Sequence, residues 1–251
     1  MKKSIAEQTH IAIRLGIVVA VVAFCATAFA DAPAAVDGNG SIVTLPDPPE
    51  AISALIQSGN VRFEFYDPKV VVRSFDGETE FEFRYEYKSR SAWKRKEVDG
   101  KPGIEVGIQY EEVKLAQSHR ILLPDSLIGD GVFKRQLTLH EFDHVRISSD
   151  PRWGPLLQTM LKSRNSVMTK AFDEDEDEIK GRGTPQELNR ITNQMVKEAS
   201  DAVFNELIEL VRIRYRELDR VSRYGLETMS KEDRQRIVEA APKAEVAEKA
   251  E

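Results

Sequence analysis

The sequence predicts an α+β fold, an N-terminal antiparallel sheet followed by a helical half, because the period of its apolar residues changes once, near the middle of the chain. Before Pro124 apolar and charged residues alternate, and from about Gly131 onward apolar residues recur every three or four positions. The punctuation agrees: Asp99-Gly100-Lys101-Pro102-Gly103 is turn chemistry between strands, whereas Thr184-Pro185-Gln186-Glu187 is a helix start.

The N-terminus carries Lys2, Lys3 and Arg14 ahead of an apolar run from Leu15 to Phe24, and Ala28-Phe29-Ala30 then offers a small-x-small cleavage site before Asp31. This order predicts a secretory signal peptide over residues 1–30 and a periplasmic or secreted mature chain. The stretch from Leu15 to Ala30 falls short of the roughly 20 residues that span a bilayer, so no stable membrane span is expected after cleavage. Phe24 stands before Cys25, where a lipid-attachment signal would have a small residue, which argues against a lipid anchor. Cleavage would remove the chain's single cysteine, leaving no disulfide.

Of 36 basic and 42 acidic residues, cleavage removes three basic ones and Glu7, leaving 33 against 41 and a net charge of −8. An acidic chain of this kind is a poor nucleic-acid binder, and the basic cluster Lys94-Arg95-Lys96 reads as a solvated face.

Residues 31–50, rich in Ala, Pro, Asp and Gly, are expected to be an extended linker, and residues 51–240 the functional domain. Val61, Phe63 and Phe65 share one parity, and Phe81, Phe83, Tyr85 and Tyr87 share another with Glu82, Arg84 and Glu86 between them. Strands around Trp93, Ile104 to Ile108, and Val113 to Leu123 extend this to a meander of about four to six antiparallel strands. Helices are expected from Gly131 to Ile147, from Leu156 to Phe172, and along the run that opens at Thr184 and ends before Gly225. The acidic run from Asp173 to Glu178 lacks the spacing of a calcium loop and reads as a solvated loop. A short helix follows Ser230, and residues 241–251 are expected to be a disordered tail.

The chemistry-bearing stretch is His140-Glu141-Phe142-Asp143-His144. On a helix His140 and His144 lie one turn apart on one face, so two imidazoles can share one metal ion, with Glu141 beside them as a general base. A catalytic zinc site usually has three protein ligands and an open position for water. The third ligand has several candidates. Asp150 stands six residues after His144, although Asp150-Pro151 also has the form of a helix cap followed by proline. Glu198, Asp201, Glu206 and Glu209 all fall on the long helix, and His119 precedes the motif.

These residues resemble the active-site helix of the zincin metallopeptidases. In the metzincin-like subgroup a third ligand stands where Asp150 does, and in snapalysin-like members it is an aspartate. That subgroup has glycine three residues after its second histidine, where this chain has Ile147. In the gluzincins a carboxylate from a later helix closes the site. A second similarity covers Leu218-Asp219-Arg220-Val221-Ser222-Arg223-Tyr224-Gly225, which resembles the Tyr-Asp-x-x-Thr-x-His-Gly segment of a bacterial secreted family predicted to be zinc-dependent proteases. Where that family has histidine this chain has Tyr224, whose hydroxyl would stabilise an oxyanion or pack at a helix end.

The resemblance implies a zinc-dependent hydrolase of peptide bonds with a peptide or protein substrate. His140, His144 and Asp150 would bind Zn²⁺, with Glu141 and Tyr224 catalytic. The alternative expectation is a non-catalytic envelope or secreted interaction protein with a structural or degenerate metal site.

Overall fold

A computed structural model describes residues 16–17, 35–38, 40–71, 76–164, 166–172 and 184–243. The stretch expected to be a signal peptide, apart from Gly16 and Ile17, and the acidic run from Asp173 to Glu178 lie outside these residues, as does the tail beyond Lys243.

Sheet content is concentrated in the first half and helix in the second, as the change of period requires. The elements in order are β1 (Gly16–Ile17), β2 (Ala35–Val36), α1 (Glu50–Gly59), β3 (Val61–Tyr66), β4 (Glu78–Val98) and β5 (Lys101–Pro124). They are followed by α2 (Gln136–Ser148), α3 (Trp153–Arg164), β6 (Val167–Ala171), α4 (Pro185–Ser222) and α5 (Lys231–Arg234). The strand signals around Phe81 and Trp93 fuse into the 21 residues of β4, and those from Ile104 to Leu123 into the 24 of β5. Between them Asp99 and Gly100 both have positive φ, 54° and 75°, which forms the tight hairpin that an Asp-Gly pair favours.

The sheet is mixed rather than a pure antiparallel meander. β5 pairs antiparallel with β6, but β3 lies parallel to β5, with Val61 opposite His119 and Phe65 opposite Leu123, and β2 lies parallel to β3. Periodicity reports which residues face one way and is silent on strand direction. Three further expectations are corrected. Part of the expected linker is packed, because Ala35 and Leu45 are buried and Ala35–Val36 pairs with β3. Helix α1 fills a stretch in which no helix was expected, ending at Asn60 in the left-handed conformation. The helix expected from Leu156 to Phe172 stops at Arg164, and Val167–Ala171 is a strand, β-branched Val167 and Thr169 suiting that state.

The chain divides into two compact units. One contains 87–112 and 161–201 with the first 20 residues. Its buried apolar residues include Ile104, Val106, Phe172, Leu188 and Ile191. There Trp93 donates to Asn189 Oδ1 at 2.8 Å, and Tyr110 and Ser200 share a 2.9 Å hydrogen bond. The start of α4 is capped as the sequence requires: Thr184 Oγ1 accepts from the Glu187 amide, and Glu187 Oε2 accepts from the Thr184 amide.

The other unit, 21–86, 113–160 and 202–251, contains the metal-motif helix. α2 is buried on most of its circumference. Phe142 and Val145 enter a core with Ile52, Ile56, Val61, Phe63, Phe65, Ile121, Leu123 and Phe133. Phe142 meets Phe63 edge-on with ring centroids 6.0 Å apart. Fully burying a side chain of this size contributes about 1.5–3 kcal/mol, so this face anchors the helix and leaves His140 and His144 toward the last turns of α4.

Candidate metal centre

His140 and His144 lie on consecutive turns of α2, with their Nε2 atoms 3.2 Å apart. Facing them is Asp219, from the last turn of α4, whose Oδ1 is 3.2 Å from His140 Nε2 and 2.9 Å from His144 Nε2. The two histidines are buried and the aspartate is partly so, its side chain 27% exposed. Among the described residues this is a group of His, Asp or Glu donors close enough to hold one metal ion.

The donor set fits that role. Two atoms each about 2.0–2.1 Å from one tetrahedral ion stand about 3.3 Å apart, close to the three separations observed. The tautomers fit as well. Ser222 Oγ donates to the Leu218 carbonyl at 2.8 Å and therefore accepts from His140 Nδ1, 3.2 Å away. With its proton on Nδ1, His140 turns the Nε2 lone pair toward Asp219 and His144. Three lone pairs converging on one point repel unless a cation or proton is shared among them. In the protonated form of the pair, burial raises the Asp219 carboxyl, but hydrogen bonds and charge from His140 and His144 outweigh it and hold the group at about 2.

Glu141 follows His140 directly and is 2% exposed. Thr79, at the start of β4, donates to Glu141 Oε2 at 2.7 Å. Burial pushes the Glu141 carboxyl above its ordinary range, opposed by the positive potential of His144 and His140 and by the Thr79 hydrogen bond. Gly77 has a reason to be glycine: a Cβ there would stand 2.6 Å from Glu141 Oε1 and 2.9 Å from a Leu137 methyl.

Asp150, expected as a third ligand, is not part of the group. It accepts the Arg152 amide at 2.9 Å, and the Arg152 guanidinium spans both carboxylate oxygens. The physical reason is Ile147: no glycine turns the chain back, α2 continues to Ser148, and the Ile147 carbonyl accepts Trp153 Nε1–H at 2.6 Å as the chain leaves. The cap form of Asp150-Pro151 describes its surroundings. The long helix does supply the carboxylate, but not from the positions first considered. Glu198 accepts from Gln194, Asp201 pairs with Lys197, and Glu209 pairs with Arg216, all toward solvent. Glu206 is half-buried and is also outside the metal group. His119 is a buried core residue that hydrogen-bonds Gly59 and Ser148.

Tyr224 is 49% exposed and lies in a left-handed turn with Arg223 and Gly225, at φ values of 57°, 48° and 79°. Its backbone N–H donates to the Asp219 carbonyl at 2.9 Å, ending α4 immediately beyond the metal face.

The residues missed from the sequence share one face of α4. Tyr215, Asp219 and Ser222 are spaced four and three apart, which stacks them along a helix. Tyr215 lays its ring 4.3 Å from the His144 ring, Asp219 faces both imidazoles, and Ser222 holds His140. That spacing of polar groups at the end of an amphipathic helix was the available signal. Compared with known proteins, the chain matches no family model, no curated protein and no solved structure.

Proposed function

We propose that the protein is a zinc-dependent hydrolase of peptide or related amide bonds. The observation that carries this reading is the convergence of three donors, His140 Nε2, His144 Nε2 and Asp219 Oδ1, beside a buried carboxylate that is not one of them, Glu141. Three ligands suit a catalytic zinc, whereas structural zinc sites usually close with four. Two imidazoles and one carboxylate also match zinc better than calcium or magnesium, which favour all-oxygen shells.

Zinc bound there would supply a Lewis acid and lower the pKa of a water in its open position to about 7. The chain's own residues do the rest. Asp219 offsets part of the cation's charge, and Ser222 fixes the His140 tautomer. Glu141, held by Thr79, would take a proton from the attacking water and return it to the departing amine. Gly77 leaves the space at Glu141 Oε1 clear.

The test is zinc content together with turnover of a mixed peptide library. Wild type should bind about one zinc per chain and cleave. Glu141→Gln should keep the zinc and lose about two to four orders of magnitude in hydrolysis. Equal turnover by the two proteins would end the reading.

A further inference from the structure

A chain of hydrogen bonds runs behind the donor group through His119, Ser148 and Tyr215, none of which supplies a donor atom to it. His119 Nδ1 lies 2.5 Å from the Gly59 carbonyl, and its Nε2 lies 2.6 Å from Ser148 Oγ. Ser148 Oγ is in turn 2.8 Å from the Tyr215 hydroxyl. A carbonyl can only accept, so Nδ1 carries the His119 proton and Nε2 is an acceptor. Ser148 must then donate to His119, and Tyr215 must donate to Ser148. The hydrogen bonds from Tyr215 to Gly59 thereby all run in one direction, and the Ser148 hydroxyl also lies 3.0 Å from the His144 carbonyl and 3.3 Å from the Val145 carbonyl. Burial favours neutral His119 against the opposing Gly59 hydrogen bond, which agrees with this tautomer.

The end of that chain is a ring rather than another hydrogen bond. Tyr215 sits with its ring centroid 4.3 Å from that of His144, inclined by 51°, and also meets Phe81 edge-on at 5.2 Å. His140 has Ser222 to hold its far nitrogen, but His144 Nδ1 is buried with no hydrogen-bond partner among the described residues. Metal-ligating histidines are ordinarily oriented by a partner on the nitrogen away from the metal. Here the orientation of His144 has to come from packing.

We infer that Tyr215 is a positioning residue for the metal centre: its ring sets the plane of His144, and the Ser148–His119–Gly59 chain sets the ring. This rests on the metal reading above and adds a specific device to it. His119, which precedes the motif in sequence, then serves the site as an anchor behind Ser148 and Tyr215 rather than as a ligand. Ser148 belongs to both parts, because it stands one turn after His144 on α2 and also contacts the His144 carbonyl at 3.0 Å.

The experiment is a zinc affinity measurement by chelator competition on the full chain, together with the visible spectrum of the cobalt-substituted protein. The proteins are wild type, Tyr215→Leu, Tyr215→Phe and Ser148→Ala, each checked for native far-ultraviolet circular dichroism. Tyr215→Leu should weaken zinc binding about 10- to 100-fold and alter the cobalt spectrum. Tyr215→Phe, which keeps the ring but lets go of Ser148, should weaken it by less and restore most of the spectrum. Ser148→Ala should resemble Tyr215→Phe. Should Tyr215→Leu fail to fold, the Phe and Ala variants still decide, since both must shift affinity or spectrum in the same sense. Unchanged affinity and spectrum in the folded variants would overturn the inference while wild-type zinc binding stood. Absence of zinc binding by wild type would instead remove the metal reading, and this inference with it.

Discussion

A methyl group added at Gly225 would stand 2.9 Å from Cβ of His140. Gly225 also has φ of 79°, a conformation that side chains resist. The turn that ends α4 is therefore pressed directly against the first metal-motif histidine, and the same backbone presents Asp219 to it.

Gly225→Ala meets both obstacles at once. It should destabilise the protein by about 1–3 kcal/mol, the usual cost of a strained backbone site, and should weaken zinc binding because relief of the clash moves His140. Urea unfolding of the metal-free protein and chelator competition measure the two effects separately. A variant with unaltered stability would show that the turn is looser than this packing implies.

Two aspartates stand at comparable places in the sequence argument but in different surroundings. Asp219→Ala removes a donor and should lower zinc affinity by an order of magnitude or more. Asp150→Ala removes the partner of Arg152 and a turn contact, so it should leave zinc stoichiometry unchanged while costing stability of about 0.5–2 kcal/mol. Equilibrium dialysis of the two variants side by side reads the difference, and the reverse ranking would restore Asp150 to the site.

The two carboxylates at the centre have opposite pH signatures in the metal-free protein. Asp219 is held at about 2, below its unfolded value, so its stabilisation is present above the ordinary carboxylate range and is lost as pH falls toward 2. Asp219→Asn should thus lose stability relative to wild type at pH 5, with the gap closing between about pH 4 and pH 2. Glu141 is raised by burial, so its contribution is complete below the unfolded carboxylate value and is lost as pH rises through the higher folded one. Glu141→Gln, neutral throughout, should gain melting temperature on wild type as pH rises above the ordinary carboxylate range. Parallel melts with a chelator present check both, and curves of the same sign would contradict the assignments.

Much of this was legible without coordinates. The change from alternation to a three-to-four spacing separated sheet from helix, because side-chain direction along a single element is a local property. The pair His140 and His144, with Glu141 between them, was legible for the same reason, as were the box at Thr184 and Glu187 and the turn at Asp99 and Gly100. The segment from Leu218 to Gly225 contained Asp219 and Gly225, but nothing in their order gave them a partner.

What only tertiary structure decided is which groups meet from distant elements. Asp219 lies 75 residues from His144, and several other acids on the same helix were equal to it by sequence. The choice depends on how α4 meets α2, where Asp219 faces both imidazoles and a left-handed turn follows Ser222. The parallel placement of β3 beside β5 and the anchoring of Tyr215 by Ser148 and His119 are of the same kind. Sequence by itself determined the faces of each helix and the two-histidine motif; packing determined which face of α4 completes it, because contact between elements depends on how they cross and not on spacing within either one.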